Sequence, residues 1–188
     1  MTSTTHTTSS LALGLAPIYF FPDLIELKYM HFYLGGLAIG SLFPDIDEPN
    51  SSIGRSVSKY FPFIPYLINI IFGHRGITHR FIFFLVPLVF ILAFIKEINT
   101  FLPGLHFFGI SFCFGMFFHQ IGDMLSGSKY YKGGIKNYFS PFGLEEKYFT
   151  PFPKIFRCAV GDIKEQIYNI LFIAIILFEL KEILNISI

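Results

Sequence analysis

The feature that most constrains this chain is the polar stretch GHRGITHR at 73–80, which lies between two strongly apolar runs. These runs cover 60–72 and 81–95. Inserting one arginine or lysine into a membrane costs roughly 2.5–3.5 kcal/mol. Two arginines and two histidines beside membrane-grade segments therefore need a function or buried partners. We predict that the stretch forms one wall of a metal site at a membrane surface.

The composition is that of a membrane protein. Of 188 residues, 53% are hydrophobic and 14% are charged, whereas soluble domains carry about 25% charged residues. The length suits a single domain over 1–188. A net charge of +1 gives no basic field, so we expect no direct nucleic-acid binding. The two cysteines predict no disulfide framework, because Cys113 lies inside an apolar run.

The apolar runs predict an all-α, multi-pass transmembrane helical bundle with about four to five spans. The expected helices cover 11–21, 29–43, 78–95, 104–125 and 163–184, with Ser9 or Ser10 capping the first helix and Thr78 capping the third. The run at 61–72 is too short to cross about 30 Å of hydrocarbon, so we expect a re-entrant or interfacial segment. Residues 96–103 are expected to turn, and 126–156 to form a long polar-aromatic loop. Gly36 and Gly40 fit a small-residue packing face, although ordinary tight packing explains them equally well.

The lysines and arginines are divided unevenly between the two ends of this bundle. If the polar motifs share one end, most of the 14 lysines and arginines lie there as well. Positively charged loops remain in the cytoplasm. We therefore predict a protein of the cell inner membrane whose site faces the cytoplasm.

Two further motifs supply the other walls of the predicted site. Asp45 and Asp47 follow an apolar helix, and carboxylates at this spacing can converge on one cation or remain as solvated turn residues. His119 and Asp123 are four residues apart, so they share one helix face. A buried aspartate needs a partner, which is either a metal ion or a histidine that bridges helices. Histidine with carboxylate suits zinc, manganese or iron.

These motifs give a specific set of candidate residues. The residues predicted to bind the metal directly are Asp47, His79, His119 and Asp123, and the additional ligands are Asp45 and His6. The predicted catalytic residues are Arg75, Glu165 and His74. Arg75 is expected to be free to bind a phosphate or carboxylate of the substrate. Glu165 can be a metal ligand, a water-polarising base or only a favourable acidic residue in the first turn of its helix. His31 and His106 lack acidic neighbours and are expected to be structural.

Several sequence blocks also resemble one known family. The blocks are LFPDIDEP at 42–49, IGR at 53–55, FGHRGITH at 72–79 and HxxxDML at 119–125, and His6 and GxxxE at 161–165 resemble the end motifs. The family is a bacterial, YdjM-like group of inner-membrane-associated proteins, described as metal-dependent hydrolases and as LexA-binding. Arg80 departs from its pattern, where Ser or Thr is usual. The resemblance covers about 6–165, nearly the whole chain.

The order of the ligands is also similar to that of the zinc-dependent phospholipase C and P1 nuclease group, although one histidine of that group has no counterpart here. This similarity implies phosphoester chemistry. We therefore expect a membrane-bound hydrolase in which metal-activated water attacks an ester, foremost a phosphoester of a phospholipid or another amphipathic substrate. The alternative is a non-catalytic scaffold in the lipid bilayer, with a structural metal, that binds a cytoplasmic regulatory protein. An ion-coupled transporter is a third reading, disfavoured because the polar groups cluster at one face.

Overall fold

The computed structural model describes residues 1–126, 134–140 and 148–184. This part of the chain is mainly helical, as predicted. The helices are α1 (Ser3–Phe20), α2 (Met30–Gly40), α3 (Ser52–Ser58), α4 (Phe63–Phe72), α5 (Phe81–Ala93), α6 (Ile95–Phe101), α7 (Leu105–Leu125) and α8 (Ile163–Ile183). Two short strands, β1 (Ile135–Lys136) and β2 (Tyr148–Phe149), pair antiparallel with Ile135 opposite Phe149.

Helix α7 is the centre of the bundle. Helix α2 runs beside it in the same direction, because Gly36 lies against Phe108 and Ser111 while Gly115, one turn further on, lies against Gly40 and Ser41.

Helices α1 and α5 run the opposite way to α7. His6, near the start of α1, stacks on His119 near the end of α7. Phe84, near the start of α5, packs on Phe117 of α7. Helix α8 is parallel to α1, since Thr8 Oγ1 bonds to Asn169 Oδ1 at 2.7 Å. Five helix ends therefore meet at one end of the bundle, which we call the site end.

The glycines of α2 allow its close approach to α7. A Cβ on Gly36 would collide with the Phe108 carbonyl, and a Cβ on Gly40 would collide with the Phe112 carbonyl. The predicted small-residue face of α2 therefore lies directly on α7. One apolar core beside this face contains Leu15, Ile18, Tyr33 and Leu37.

Exchanging Gly40 for alanine is expected to destabilise the protein by about 1–3 kcal/mol, because overpacking at a backbone contact forces the two helices apart. The measurement is thermal unfolding in detergent. Gly35→Ala is the matched control, since a Cβ there would meet only the Phe108 ring at 3.9 Å. Equal melting temperatures for the two variants would contradict the proposed close contact.

The predicted four to five membrane spans are not confirmed. Among the described residues, α7 is long and apolar enough to cross a membrane. Helices α5 and α6 qualify as one further span only if the pair, bent by 73°, is counted as a single span. Helix α2 has 11 residues, which at about 1.5 Å per residue do not cross a bilayer. Four to five spans are therefore not found as separate long helices.

Several predicted boundaries were wrong. Helix α1 begins at Ser3, because the Thr2 side chain accepts from the Thr5 amide, so neither Ser9 nor Ser10 is its cap. Thr78 does not cap α5, which begins only at Phe81.

The two predicted connecting segments also contain regular structure. Residues 96–103, expected to turn, contribute to helix α6. The predicted 126–156 loop lies partly outside the described residues, and its described part contains the β1–β2 pair. Cys113 and Cys158 are both buried and unpaired, as expected.

Candidate metal centre

Five of the predicted ligands converge at the site end. They are His6 on α1, Asp45 on the 3₁₀ turn Phe43–Asp47, His79 on the 3₁₀ turn Ile77–His79, and His119 and Asp123 on α7. In the part of the chain that the structure describes, they form two overlapping sets with metal-ligand spacing: His6, Asp45 and His119, and His79, His119 and Asp123.

Asp45 and Asp123 each approach the two histidine Nε2 atoms at ligand spacing, although they belong to different sets among the described residues. The Nε2 atoms of His79 and His119 are 3.3 Å apart, and Asp45 Oδ1 lies 3.5 Å from each of them. Asp123 Oδ2 lies 3.2 Å from His79 Nε2 and 3.7 Å from His119 Nε2. Bonds of about 2.0–2.1 Å around tetrahedral zinc give ligand–ligand distances of roughly 3.3–3.4 Å. The five distances lie close to that value.

Buried atoms without hydrogen bonds also fit a cation here. Asp123 Oδ2 is buried without a hydrogen bond, and the nearest histidine nitrogen, His79 Nε2, lies 3.2 Å away. His6 Nδ1 is likewise buried and unbonded. A buried carboxylate oxygen without a partner is costly, and a divalent cation would remove that cost. The donor set of imidazole nitrogens and carboxylate oxygens therefore fits zinc, manganese or iron.

The orientation of His119 is fixed by the backbone of α2. Its Nδ1 bonds to the Ser41 carbonyl at 2.7 Å. Since a carbonyl only accepts, Nδ1 carries the proton and Nε2 is left with its lone pair toward the centre. His6 stacks on the same ring, with centroids 3.8 Å apart, and its Nε2 lies 3.7 Å from Asp123 Oδ1.

His79 is oriented by Thr78 and Asp47: its Nδ1 lies 3.0 Å from the Thr78 hydroxyl, and the fully buried Asp47 lies just beyond. Asp47 Oδ2 lies 3.4 Å from His79 Nδ1 and accepts from the Thr78 hydroxyl at 2.5 Å and from the Arg75 amide at 3.0 Å. Asp47 Oδ1 is 3.0 Å from His74 Nδ1. The carboxylate thus clamps the whole 74–79 loop, and it faces the histidine nitrogen opposite the one that points to the centre.

The two aspartates of the Phe43–Asp47 turn do not converge on one point, as the sequence had suggested. A 3₁₀ helix has three residues per turn, so side chains two residues apart point in directions about 120° apart around its axis. Asp45 consequently reaches the Nε2 side of His79, and Asp47 reaches the Nδ1 side. Asp47 was expected to bind the metal directly, with Asp45 as an additional ligand. In the structure Asp45 lies with the candidate ligand atoms, and Asp47 lies on the opposite side of the His79 ring.

Charge coupling within the cluster shifts several pKa values. Burial alone would raise the pKa of Asp45, but His119 and His79 hold it well below its ordinary value. Burial also favours a higher pKa for Asp47. Hydrogen bonds from His74 and His79 outweigh burial and hold this pKa below its ordinary value. For His79, burial lowers the pKa, but Asp123, Asp45 and Asp47 together raise it well above 6.5. Without metal, His79 is therefore a cation among carboxylates at neutral pH.

Metal affinity is expected to rise with pH. A metal must displace the His79 proton, so below the raised pKa of His79 the apparent affinity increases about tenfold per pH unit for one released proton. Above that pKa the affinity levels off. Calorimetric titration with Zn²⁺ at several pH values, in buffers of different protonation enthalpy, measures both the affinity and the proton release. A flat profile through the region above pH 6.5 would contradict this assignment.

Arg75 is held by the cluster, so the expectation that it is free for substrate was wrong. Its Nη2 donates to Asp123 Oδ1 at 2.8 Å and lies 3.5 Å from Ser126 Oγ. The physical reason is that Asp123 is buried and needs a nearby cation. Arg75 also has a φ of 59°, a left-handed conformation that non-glycine residues seldom adopt.

Glu165 has a different position from the other predicted residues. Its two carboxylate oxygens accept from the backbone amides of Thr2 and Gly161. These bonds join the start of α8 to the start of α1. Glu165 belongs to neither of the ligand sets found among the described residues.

Sequence reasoning missed three supporting groups: the Ser41 carbonyl, the Thr78 hydroxyl as a partner of Asp47, and Asn69. Asn69 Nδ2 donates to the Asp47 carbonyl at 2.7 Å. Backbone carbonyls leave no trace in a sequence. Thr78 was visible as a polar neighbour of His79 but was interpreted as a helix cap.

Converting Asp47 to asparagine is expected to weaken metal binding about 10- to 100-fold, the usual effect of losing an outer-shell carboxylate. The amide keeps the size of the side chain but loses the negative charge that orients His79. Competition with a fluorescent zinc chelator measures the affinity. Glu48→Gln is the control, because it makes the same change one residue further on; equal losses in both variants would argue against the clamp.

A family model described as "YdjM inner membrane protein" matches residues 1–184. The curated protein "Uncharacterized protein YvsG" of Bacillus subtilis (strain 168) is 30% identical over 102 residues. That alignment covers 53% of this chain and 56% of the relative, so it spans only about half of either protein. No solved structure matches.

Proposed function

Because the chain belongs to the YdjM inner membrane protein family, we propose that it is a membrane-bound, metal-dependent hydrolase acting on an ester, foremost a phosphoester of a membrane lipid. One observation carries the proposal: the unbonded Asp123 Oδ2 lies at ligand distance from two histidine Nε2 atoms. Hydrolytic metal sites use this donor chemistry.

Each side chain of the two ligand sets has a role in this proposal. His79, His119 and Asp123, which form one set, would hold the ion, and Asp45 and His6 of the overlapping set would supply further ligands. A divalent metal bound there supplies Lewis acidity and lowers the pKa of water. Asp47 keeps the His79 proton on Nδ1, so Nε2 stays available as a ligand.

Two further side chains of the 73–80 stretch complete the proposed mechanism. Arg75 places a fixed positive charge beside Asp123, where it stabilises negative charge developing on the phosphoryl oxygens. His74 has a 43% exposed side chain, and its Nδ1 is engaged by Asp47. Its Nε2 is then the atom that returns a proton to the leaving group.

We also propose that the chain crosses the membrane more than once, with the site end in the cytoplasm. The exposed basic residues near the site support this orientation through the positive-inside rule. They are Arg55, Lys59, Lys154 and Lys164.

The test is metal analysis together with hydrolysis assays on detergent-purified protein. We expect about one Zn²⁺, Mn²⁺ or Fe²⁺ per chain and turnover of a phosphodiester, phosphomonoester or phospholipid that a chelator stops and the metal restores. His119→Ala is the paired variant, and it should lose both the bound metal and the turnover. Near-zero metal in the wild type overturns the site. Metal without turnover on any ester favours the scaffold that binds a cytoplasmic regulatory protein.

A further inference from the structure

Helix α4 exposes a large apolar surface at the site end. Pro65 is its one buried residue, while Phe63 is 75% exposed and Ile70 is 67% exposed. The exposed surface continues into Tyr60 and Phe61 before the helix. Contiguous apolar surface of this kind marks contact with a membrane or a partner.

The inner face of α4 fixes its position relative to the metal centre. Asn69 Nδ2 donates to the Asp47 carbonyl at 2.7 Å, so α4 lies directly beside the turn that carries Asp45 and Asp47. The helix has 10 residues, about 15 Å, which is half of what a span requires. It can lie along a membrane surface but cannot cross the membrane.

A second exposed apolar segment lies at the same end, over 155–163. Its exposed residues are Ile155, Phe156, Val160 and Ile163. The Cys158 amide donates to the Leu125 carbonyl at 3.2 Å, which places the segment next to the end of α7 and hence close to Asp123. Apolar surfaces thus lie on two segments that are each tied to the centre.

The charges around both segments identify the surface that they fit. Arg55 and Lys59 precede α4, and Lys154 and Lys164 flank the second segment; all four are exposed. Apolar residues bordered by basic ones bind the interface of anionic membranes. A second copy of this chain would bring like charges together at the same edges, which opposes self-association there.

We propose that α4 and the 155–163 segment lie in the headgroup–acyl boundary of an anionic leaflet, with the metal centre at the headgroup level between them. The consequence for substrate rests on the proposed function. The site takes its phosphoester from a lipid of that same leaflet rather than from solution. Because Asn69 of α4 bonds to the Asp47 carbonyl, the depth of α4 in the membrane also sets the depth of the metal centre.

The membrane contact can be tested without any activity, because the chain contains no tryptophan. Phe63→Trp and Ile155→Trp each create a single fluorescent reporter. In vesicles of phosphatidylethanolamine and phosphatidylglycerol with brominated acyl chains, both should emit at shorter wavelength and be quenched. Ser56→Trp on α3 is the control and should be quenched little.

Metal content equal to the wild type shows that each reporter variant is folded, and Ile70→Trp replaces Phe63→Trp if that variant fails this check. Quenching of the α4 and 155–163 reporters no stronger than that of Ser56→Trp overturns the proposal. Unquenched reporters together with chemical cross-linking of two chains through α4 would assign the surface to a second copy instead.

The substrate consequence is tested with Ile70→Ser/Ile71→Ser. We expect hydrolysis of vesicle phospholipid to fall on the order of tenfold, with hydrolysis of a soluble phosphoester unchanged. Equal rates for variant and wild type on vesicles overturn the inference about the leaflet. Absence of turnover on both substrates by the wild type overturns the proposed function instead, while the fluorescence result still decides the membrane contact.

Discussion

Changing Asp123 to asparagine is expected to lower metal affinity by more than about 100-fold, beyond the range for outer-shell groups, and to abolish hydrolysis. The isosteric amide keeps the packing of α7 but removes the anionic oxygen that lies near the Nε2 atoms of His79 and His119. It also removes the charge that Arg75 pairs with. Elemental analysis after dialysis, followed by zinc titration, measures the loss.

The matched control is Glu179→Gln, which changes another buried carboxyl to an amide near the far end of α8. That variant should keep the metal content of the wild type. If the Asp123 variant also keeps its metal while its thermal stability changes, then Asp123 is only a partner that bridges helices, and the metal assignment is wrong.

The second large effect is expected at Arg75, where glycine should reduce kcat about 10²- to 10³-fold at saturating metal. The substitution removes the guanidinium group, while glycine accepts the left-handed backbone at φ 59° without strain. In the metal-free protein the loss of the Asp123 partner should lower stability, and relief of the left-handed backbone offsets part of that loss. Steady-state kinetics and thermal unfolding on the same samples separate the two effects.

Asn137→Gly is the backbone control, because Asn137 is the other described non-glycine residue with positive φ, at 54°. Arg75→Lys retains the charge but not the planar guanidinium group. Its kcat should lie between that of the wild type and that of Arg75→Gly. A glycine variant with wild-type kcat would show that Arg75 only neutralises Asp123 and takes no part in the reaction.

The parts of the site that could be predicted are those set by local geometry. His119 and Asp123 were placed together because four residues make about one helical turn, and α7 was located within one residue of its observed start by its length and apolarity. The same reasoning failed at Asp45 and Asp47, because a 3₁₀ turn and an open loop cannot be told apart in five residues.

Contacts between distant segments could not be predicted. Arg75 reaches Asp123 across 48 positions of the chain, and the Ser41 carbonyl reaches His119 across 78. Both bonds depend on how α2, α7 and the 74–79 loop pack. The start of α1 was missed for a different reason: its first turns are rich in Thr and Ser, so they have no apolar periodicity to detect.

The convergence of five helix ends also has a consequence for biosynthesis. The ligands extend from His6 to Asp123, so at about 5–20 residues per second the first emerges from the ribosome on the order of ten seconds before the last. Until α7 has inserted, only the His6, Asp45 and His79 side chains are present, and His79 lacks both of its α7 neighbours. On the proposed function, the metal is loaded only after α7 is in place, because both ligand sets among the described residues include His119 of that helix.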